Sequence, residues 1–341
     1  MDIAYVIPLH KHVTILHIGT GMKPNPSARV IALAVIMVSF LALPSLAAPR
    51  VVVSIKPLHS LVAAVMRGAG TPSLIVEGAA SPHNYSLRPS QARLLQEADV
   101  VFWIGQDLEA FLEKPLQTLA PDAVSVELGE TPGMFTLPMR EGGSFEPDTD
   151  DDHGHGHDGH DQEGHDHQGH DPHTWLDPEN AKLFVKRIAD TLAEIDPANE
   201  TLYQGNASAE IEQIDKLISA TARALEPVKS SRFIVFHDAY HYFENRFGLE
   251  AAGSLTVNPE IMPGAKRLAE IRDQIAHTGA DCVFAEPQFK PALVGVVTEG
   301  TAARSGILDP LGADIPEGPE LYSSLISNLA NSFVDCLKPA L

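Results

Sequence analysis

Residues 51–104 read VVVSIKPLHSLVAAVMRGAGTPSLIVEGAASPHNYSLRPSQARLLQEADVVFWI, and this stretch decides the fold. Val51–Ile55, Leu74–Val76 and Val100–Ile104 are short β-branched runs that read as strands. Between them, Leu58–Arg67 and Ser90–Ala98 carry helical patterns. The series continues with a helix over Leu108–Leu119 and a strand over Val124–Val126. Such alternation predicts a parallel sheet covered by helices. It returns later in the chain. Phe233–Phe236, Ala251–Leu255, Cys282–Ala285 and Gly306–Leu308 read as strands. Ala239–Phe247, Gly264–His277, Ala292–Ser305 and Tyr322–Leu337 read as the helices between and after them. The fold class is therefore α/β, with two Rossmann-like lobes of parallel sheet over residues 48–177 and 229–341. Residues 178–228 read as linking helices. A run from Ala198 to about Glu226 places Tyr203, Ala207, Ile211, Ile214, Ile218 and Leu225 on one face. At 1.5 Å per residue it spans roughly 40 Å. It either braces the two lobes or is simply packed among the other helices.

The chain has 341 residues, enough for two domains that each bury a core. A net charge of −21 excludes nucleic acid as a partner and suits a cation. The acids are concentrated: residues 141–171 contain 11 of them and no lysine or arginine. At the other end, Lys23 and Arg29 precede the apolar run Val30–Leu43, and Pro44-Ser45-Leu46-Ala47 supplies small residues for cleavage. This is the pattern of a secretory signal peptide over residues 1–47, with Met22 standing where such a signal ordinarily begins. The run is shorter than the roughly 20 residues that span a bilayer. The two cysteines, Cys282 and Cys336, lie far from the signal, so no lipid anchor is expected. In an exported chain such a pair favours a disulfide over two buried reduced thiols.

Half of the 16 histidines lie between His153 and His173. Residues 146–171 are Gly, Asp and His with almost nothing apolar, so they read as a disordered loop. Imidazole is a good zinc, copper or nickel ligand, and nearby carboxylates raise the local cation concentration. His153, His155, His157, His160, His165, His167 and His170 are thus expected to bind metal weakly and without fixed geometry. A tight site must come from ordered positions. His83 lies in Ser-Pro-His-Asn-Tyr-Ser-Leu-Arg-Pro-Ser, just past a strand. His173 lies in Asp-Pro-His-Thr-Trp-Leu-Asp-Pro, and His237 ends the strand Phe233–Phe236. Asp309, in Leu-Asp-Pro-Leu-Gly, also follows a strand. Ligands of α/β sheets sit beyond the carboxyl ends of strands. Three imidazoles with a carboxylate or water make a tetrahedral zinc site. His59 and His277 fit helix surfaces. His241 stands four residues after His237, a faint echo of a zinc-protease motif that lacks the glutamate base.

These segments carry a resemblance. Pro-His-Asn-Tyr-Ser-Leu-Arg-Pro-Ser at 82–90, Val-Phe-His-Asp-Ala-Tyr at 235–240, Thr-Val-Asn-Pro-Glu at 256–260, Phe-Ala-Glu-Pro-Gln-Phe at 284–289 and Leu-Asp-Pro-Leu-Gly at 308–312 resemble the ZnuA-type zinc receptors of bacterial ABC importers. The resemblance covers the whole chain after the leader. It implies two lobes joined by a long rigid helix, with metal in the cleft between them. It implies His83, His173 and His237 as ligands, the His-rich acidic loop, a Cys282–Cys336 disulfide and a periplasmic location. Manganese receptors of this cluster carry a glutamate where His237 stands, so His237 favours zinc. Some zinc relatives have a glutamate before the first ligand histidine. Here that residue is Pro82, which leaves Asp309 or a water as fourth ligand, with Asp309 favoured. Glu286 and Asn258 are expected to line or support the cleft.

The expected function is a monomeric binding protein that hands Zn2+ to a membrane permease driven by a cytoplasmic ATPase. The chain has no P-loop and no transmembrane bundle of its own, so both are separate partners. A zinc hydrolase would need an open coordination position and a base beside the bound water. No such base accompanies the three histidines, and no enzyme activity is expected. A zinc-buffering or adhesive protein is the remaining alternative.

Overall fold

The computed structural model describes residues 5–9, 12–16, 48–140, 145, 169–256, 259, 264–289 and 292–338. The chain divides into two compact units, residues 1–47 and 48–341. In the first, β1 (Tyr5–Leu9) pairs antiparallel with β2 (His12–Leu16). The apolar run Val30–Leu43 and the expected cleavage segment lie outside the described residues.

The second unit holds both lobes. The first lobe contains β3 (Val51–Val53), α1 (Lys56–Val65), β4 (Ser73–Leu74), α2 (Pro89–Glu97), β5 (Val100–Trp103), α3 (Gln106–Leu119) and β6 (Val124–Glu127). Its sheet is parallel, in the order β4-β3-β5-β6. Strands β3 and β5 are buried at every position, which is why they read as unbroken apolar runs. Two helices follow, α4 (Pro178–Ile195) and α5 (Glu200–Leu225). Asp177 caps α4 by accepting the Glu179 N–H at 2.9 Å, and Pro178 occupies the first helical position. The second lobe contains β7 (Phe233–His237), α6 (His241–Phe247), β8 (Ala251–Thr256), α7 (Ala265–Thr278), β9 (Cys282–Ala285), α8 (Ala292–Thr298), β10 (Arg304–Ile307) and α9 (Leu321–Leu337). Its parallel sheet runs β10-β9-β7-β8.

The two sheets share one topology. In each, the first strand is central, the second lies on one side, and the third and fourth lie on the other. The switch point therefore falls between β3 and β5 in one lobe and between β7 and β9 in the other. Ligands bind beyond the carboxyl ends of strands at such points.

The lobes share one apolar core. It runs from Val51 and Phe102 through Phe184, Tyr203 and Ile214 to Phe284 and Phe333. Helix α5, 26 residues and about 39 Å long, packs on α1 of the first lobe and on α9 of the second. It is thus both a packed helix and a brace. A smaller apolar cluster, including Ile234, Leu255, Ile271 and Val297, belongs to the second lobe alone.

Among the boundaries that differ from expectation, three have clear local causes or consequences. Helix α8 ends at Thr298 and does not reach Ser305, because Gly300 turns the chain at φ +77°. Strand β10 accordingly begins at Arg304, earlier than expected. The composition predicts a disordered His/Asp-rich loop to Asp171, yet its last three residues are folded. His170 forms an antiparallel bridge with Pro138, and the Asp171 N–H donates to the Leu137 carbonyl at 2.9 Å. His170 itself is exposed. His153, His155, His157, His160, His165 and His167 lie outside the described residues.

Cys282 and Cys336 form a disulfide that ties β9 to α9, with Cα atoms 6.1 Å apart and a sequence separation of 54. Closing a loop of that length stabilises by about 4 kcal/mol in the chain-entropy account. Gly306 passes over this bond. A Cβ there would lie 2.6 Å from Phe284 Cε1 and 3.1 Å from Cys336 Sγ, so the position has room only for glycine.

Candidate metal centre

The three histidines singled out by context converge, each from a different element. His83 sits in the short turn Pro82–Asn84 after β4, where the Ser81 hydroxyl accepts its N–H at 3.3 Å. His173 follows the returning end of the acidic loop. Its N–H donates to Asp171 Oδ1 at 2.9 Å, and its Nδ1 lies 2.7 Å from the same oxygen. His237 is the last residue of β7. Its N–H and Nδ1 lie 3.3 and 2.7 Å from Oε1 of Glu286, the residue after β9. One device thus appears twice: a buried carboxylate oxygen takes both the main-chain and the ring proton of a histidine.

That device sets the tautomers. An ionised carboxylate only accepts, so Nδ1 carries the proton in His173 and in His237. In the neutral ring each Nε2 is then a lone pair. His173 Nε2 lies 3.3 Å from His83 Nε2 and 3.3 Å from His237 Nε2. Two such acceptors facing each other form no hydrogen bond, and a cation between them resolves the conflict. In a tetrahedral site with Zn–N bonds of about 2.0–2.1 Å, neighbouring nitrogens stand about 3.3 Å apart. Among the described residues, His83, His173 and His237 are the one set of metal-ligating side chains meeting within 4.8 Å.

The protonation states agree with this. Burial, then the neighbouring His173 and His237, push the His83 imidazole down to about 2. Burial, then His237, also lowers His173. Burial lowers His237 too, but the charge and hydrogen bond of Glu286 outweigh it and hold the ring above its ordinary value. Burial pushes the Asp171 carboxyl up to about 7, against the His173 N–H. His83 and His173 are therefore neutral at physiological pH, as metal ligands must be.

The space among the rings is about 10 Å³, room for one water-sized sphere. Its walls include Pro82, Trp175, Phe289, Pro310 and Leu311. Trp175 Nε1 donates to the Pro310 carbonyl at 2.9 Å, joining first-lobe and second-lobe segments over the site. The buried Lys56 ammonium does the same from α1, donating to the carbonyls of Gly312, Ala313 and Ile315 at 2.6, 2.9 and 2.8 Å. A larger cavity of about 370 Å³ adjoins the rings and is lined also by Arg140, Asp171 and Asp238. The acidic loop leaves and returns here. Arg140, at its start, pairs with Asp238 and Glu244.

Over residues 51–336 the sequence matches the ZnuA family, described as zinc-uptake complex component A, periplasmic. The chain belongs to the ZnuA family. The high-affinity zinc uptake system protein ZnuA of Brucella abortus (strain 2308) is 53% identical over 317 residues, covering 86% of this chain and 93% of that protein. The protein of the same name from Yersinia pestis is 40% identical over 297 residues, covering 86% and 93%. A crystal structure of ZnuA aligns with a TM-score of 0.71 at 25% identity, covering 85% of this chain and 100% of that one. The two-lobe α/β architecture is thus that of ZnuA.

Asp309 is not among the converging side chains of this ZnuA-family site. Its oxygens accept the N–H groups of Leu311, Gly312 and Ala313 at 3.1, 3.0 and 2.6 Å, and the Gln288 side-chain NH2 at 2.9 Å. It folds the loop that walls the site. His241 stays outside as well, with its Nδ1 4.0 Å from Asp171 Oδ2. His59 is buried, not on a helix surface, and its Nε2 meets the Pro72 carbonyl at 3.1 Å. Asn258 lies outside the described residues. Sequence reasoning missed the parts played by Asp171, Lys56 and Gln288. For Asp171 a signal existed, the Asp-Pro-His spacing, but it was submerged in the acidic loop.

The carboxylates behind the rings give a sharp expectation. Glu286→Gln removes the negative charge that holds the His237 Nδ1 proton while touching no ion. Zinc affinity should fall by about 10- to 100-fold, as when other zinc-site carboxylate partners are removed. Chelator competition measures this, and an unchanged affinity would show that Glu286 does not orient His237.

Proposed function

We propose that this chain captures Zn2+ outside the cytoplasm through Nε2 of His83, His173 and His237. It then delivers the ion to the permease of an ABC importer, which a separate ATPase powers. The observation that carries this reading is the meeting of three imidazole Nε2 atoms, with His173 Nε2 3.3 Å from each of the other two. An all-nitrogen set suits zinc, whereas manganese prefers oxygen. The relatives named for high-affinity zinc uptake support the same ion.

A receptor also explains what the site lacks. A hydrolase needs room for substrate beside the ion and a base free to take a proton. The nearest carboxylates, Asp171 and Glu286, are tied to the ring nitrogens of His173 and His237. The cavity holds one small sphere, and apolar side chains form much of its wall. In this reading residues 1–47 are a leader removed on export. The seven loop histidines, His153 to His170, collect cations weakly. The mature chain acts as a monomer.

The test is transport. The zinc-loaded chain is added to vesicles carrying its permease and ATPase, and internal zinc is followed. Accumulation should require ATP and the chain, and should be lost with His173→Ala. Tight zinc binding without ATP-dependent accumulation would leave a buffering protein instead.

A further inference from the structure

We propose that Gln288 supplies the fourth zinc ligand through its amide oxygen, and that Asp309 is the positioning residue that turns it toward the ion. This rests on the three-histidine reading above. Gln288 lies two residues beyond Glu286, past the carboxyl end of β9. It lines the same small cavity as the three imidazoles.

Its orientation follows from chemistry. The Asp309 carboxylate can only accept, and three main-chain N–H groups already donate to it. The end of the Gln288 amide that approaches Asp309 Oδ1 at 2.9 Å must therefore be the NH2. The amide oxygen is turned the other way. It is buried and has no hydrogen-bond partner among the described residues.

No hydrogen bond from the described residues reaches that oxygen. Trp175 Nε1 is committed to Pro310, and Pro82, Phe289 and Leu311 offer no side-chain donor. A buried acceptor without a donor is costly, and a cation relieves it. The amide oxygen also fills the coordination position that Pro82 and Asp309 leave open. Three imidazoles and one amide form a neutral ligand set. Such a set holds Zn2+ less tightly than one with a carboxylate, which favours release to a permease.

Cobalt(II), which reports four-coordinate geometry through its visible bands, is the probe. A metal-bound water ionises at about pH 7–9, whereas an amide ligand does not. The cobalt spectrum of the unaltered protein should be constant from about pH 7 to 9.5. Gln288→Met should admit water, acquire a pH-dependent spectral transition, and bind zinc at least about tenfold more weakly. Gln288→Ala, made independently, should behave alike. A pH transition in the unaltered protein, or Gln288 variants that match it in spectrum and affinity, would overturn the proposal. Absence of four-coordinate bands, or their persistence in His173→Ala, would instead overturn the three-histidine site.

Discussion

Replacing His83 by alanine is expected to weaken zinc binding by two to three orders of magnitude without unfolding the protein. Zinc sites bind with about 10–16 kcal/mol, or about 3–4 kcal/mol per ligand when shared among four. Each 1.4 kcal/mol is about tenfold in affinity. His83 is the clean choice among the three. It is partly exposed and no carboxylate among the described residues is bonded to its ring, so its removal costs a ligand and little else. His237→Ala should lose similar affinity and also stability. It strips Glu286, only 2% exposed, of its ring partner and leaves a buried carboxylate oxygen short of a donor. Chelator competition reads the affinities, and thermal melts of the metal-free proteins read the stabilities. Unchanged affinity in His83→Ala would sink the site. Equal melting temperatures for His237→Ala and the unaltered chain would remove the structural role given to the His237–Glu286 pair.

The strands and His237 were legible for the same reason. Central strands of a parallel sheet have no polar face, so Val51–Val53 and Phe233–Phe236 announce themselves. A histidine that directly follows such a run has few structural uses. The order of strands was not legible, because it depends on pairing between segments far apart in sequence. Asp309 shows the limit most clearly. Its position after a strand suited a ligand, but short-range geometry decided otherwise, with three N–H groups of the next residues turning onto its oxygens. Asp171 failed in the opposite direction. Composition assigned it to a solvated acidic tract, whereas the bridge between Pro138 and His170 folds the end of that tract inward and buries it. Lys56 carries no signal of its role in the sequence. Only the fold brings three carbonyls from residues 312–315 to its ammonium.

Zinc binding should release between one and two protons near pH 6, not three. Every liganding imidazole must be neutral, so any proton held by the metal-free site has to leave. Ordinary histidines, with values of about 6.5, would each hold most of one at that pH. Here His83 is pushed down to about 2 and His173 is also lowered, so both are already neutral and have nothing to release. His237 is held above its ordinary value by Glu286, so it is protonated at pH 6 and must lose that proton. Asp171, pushed up to about 7, is largely protonated there too, and the Nδ1 proton of a zinc-bound His173 favours its ionised form. The sign is the same for both groups. A site value raised above the working pH makes the proton a competitor, and affinity falls as pH falls. From pH 7.5 to 5.5 the loss should be at least about 100-fold, set by two competing protons. Calorimetry in buffers of different ionisation enthalpy counts the protons directly. Asp171→Asn should bring the count at pH 6 to about one, while leaving the share from His237. A count of three would mean that His83 and His173 titrate normally, and the burial that keeps them neutral would then be wrong.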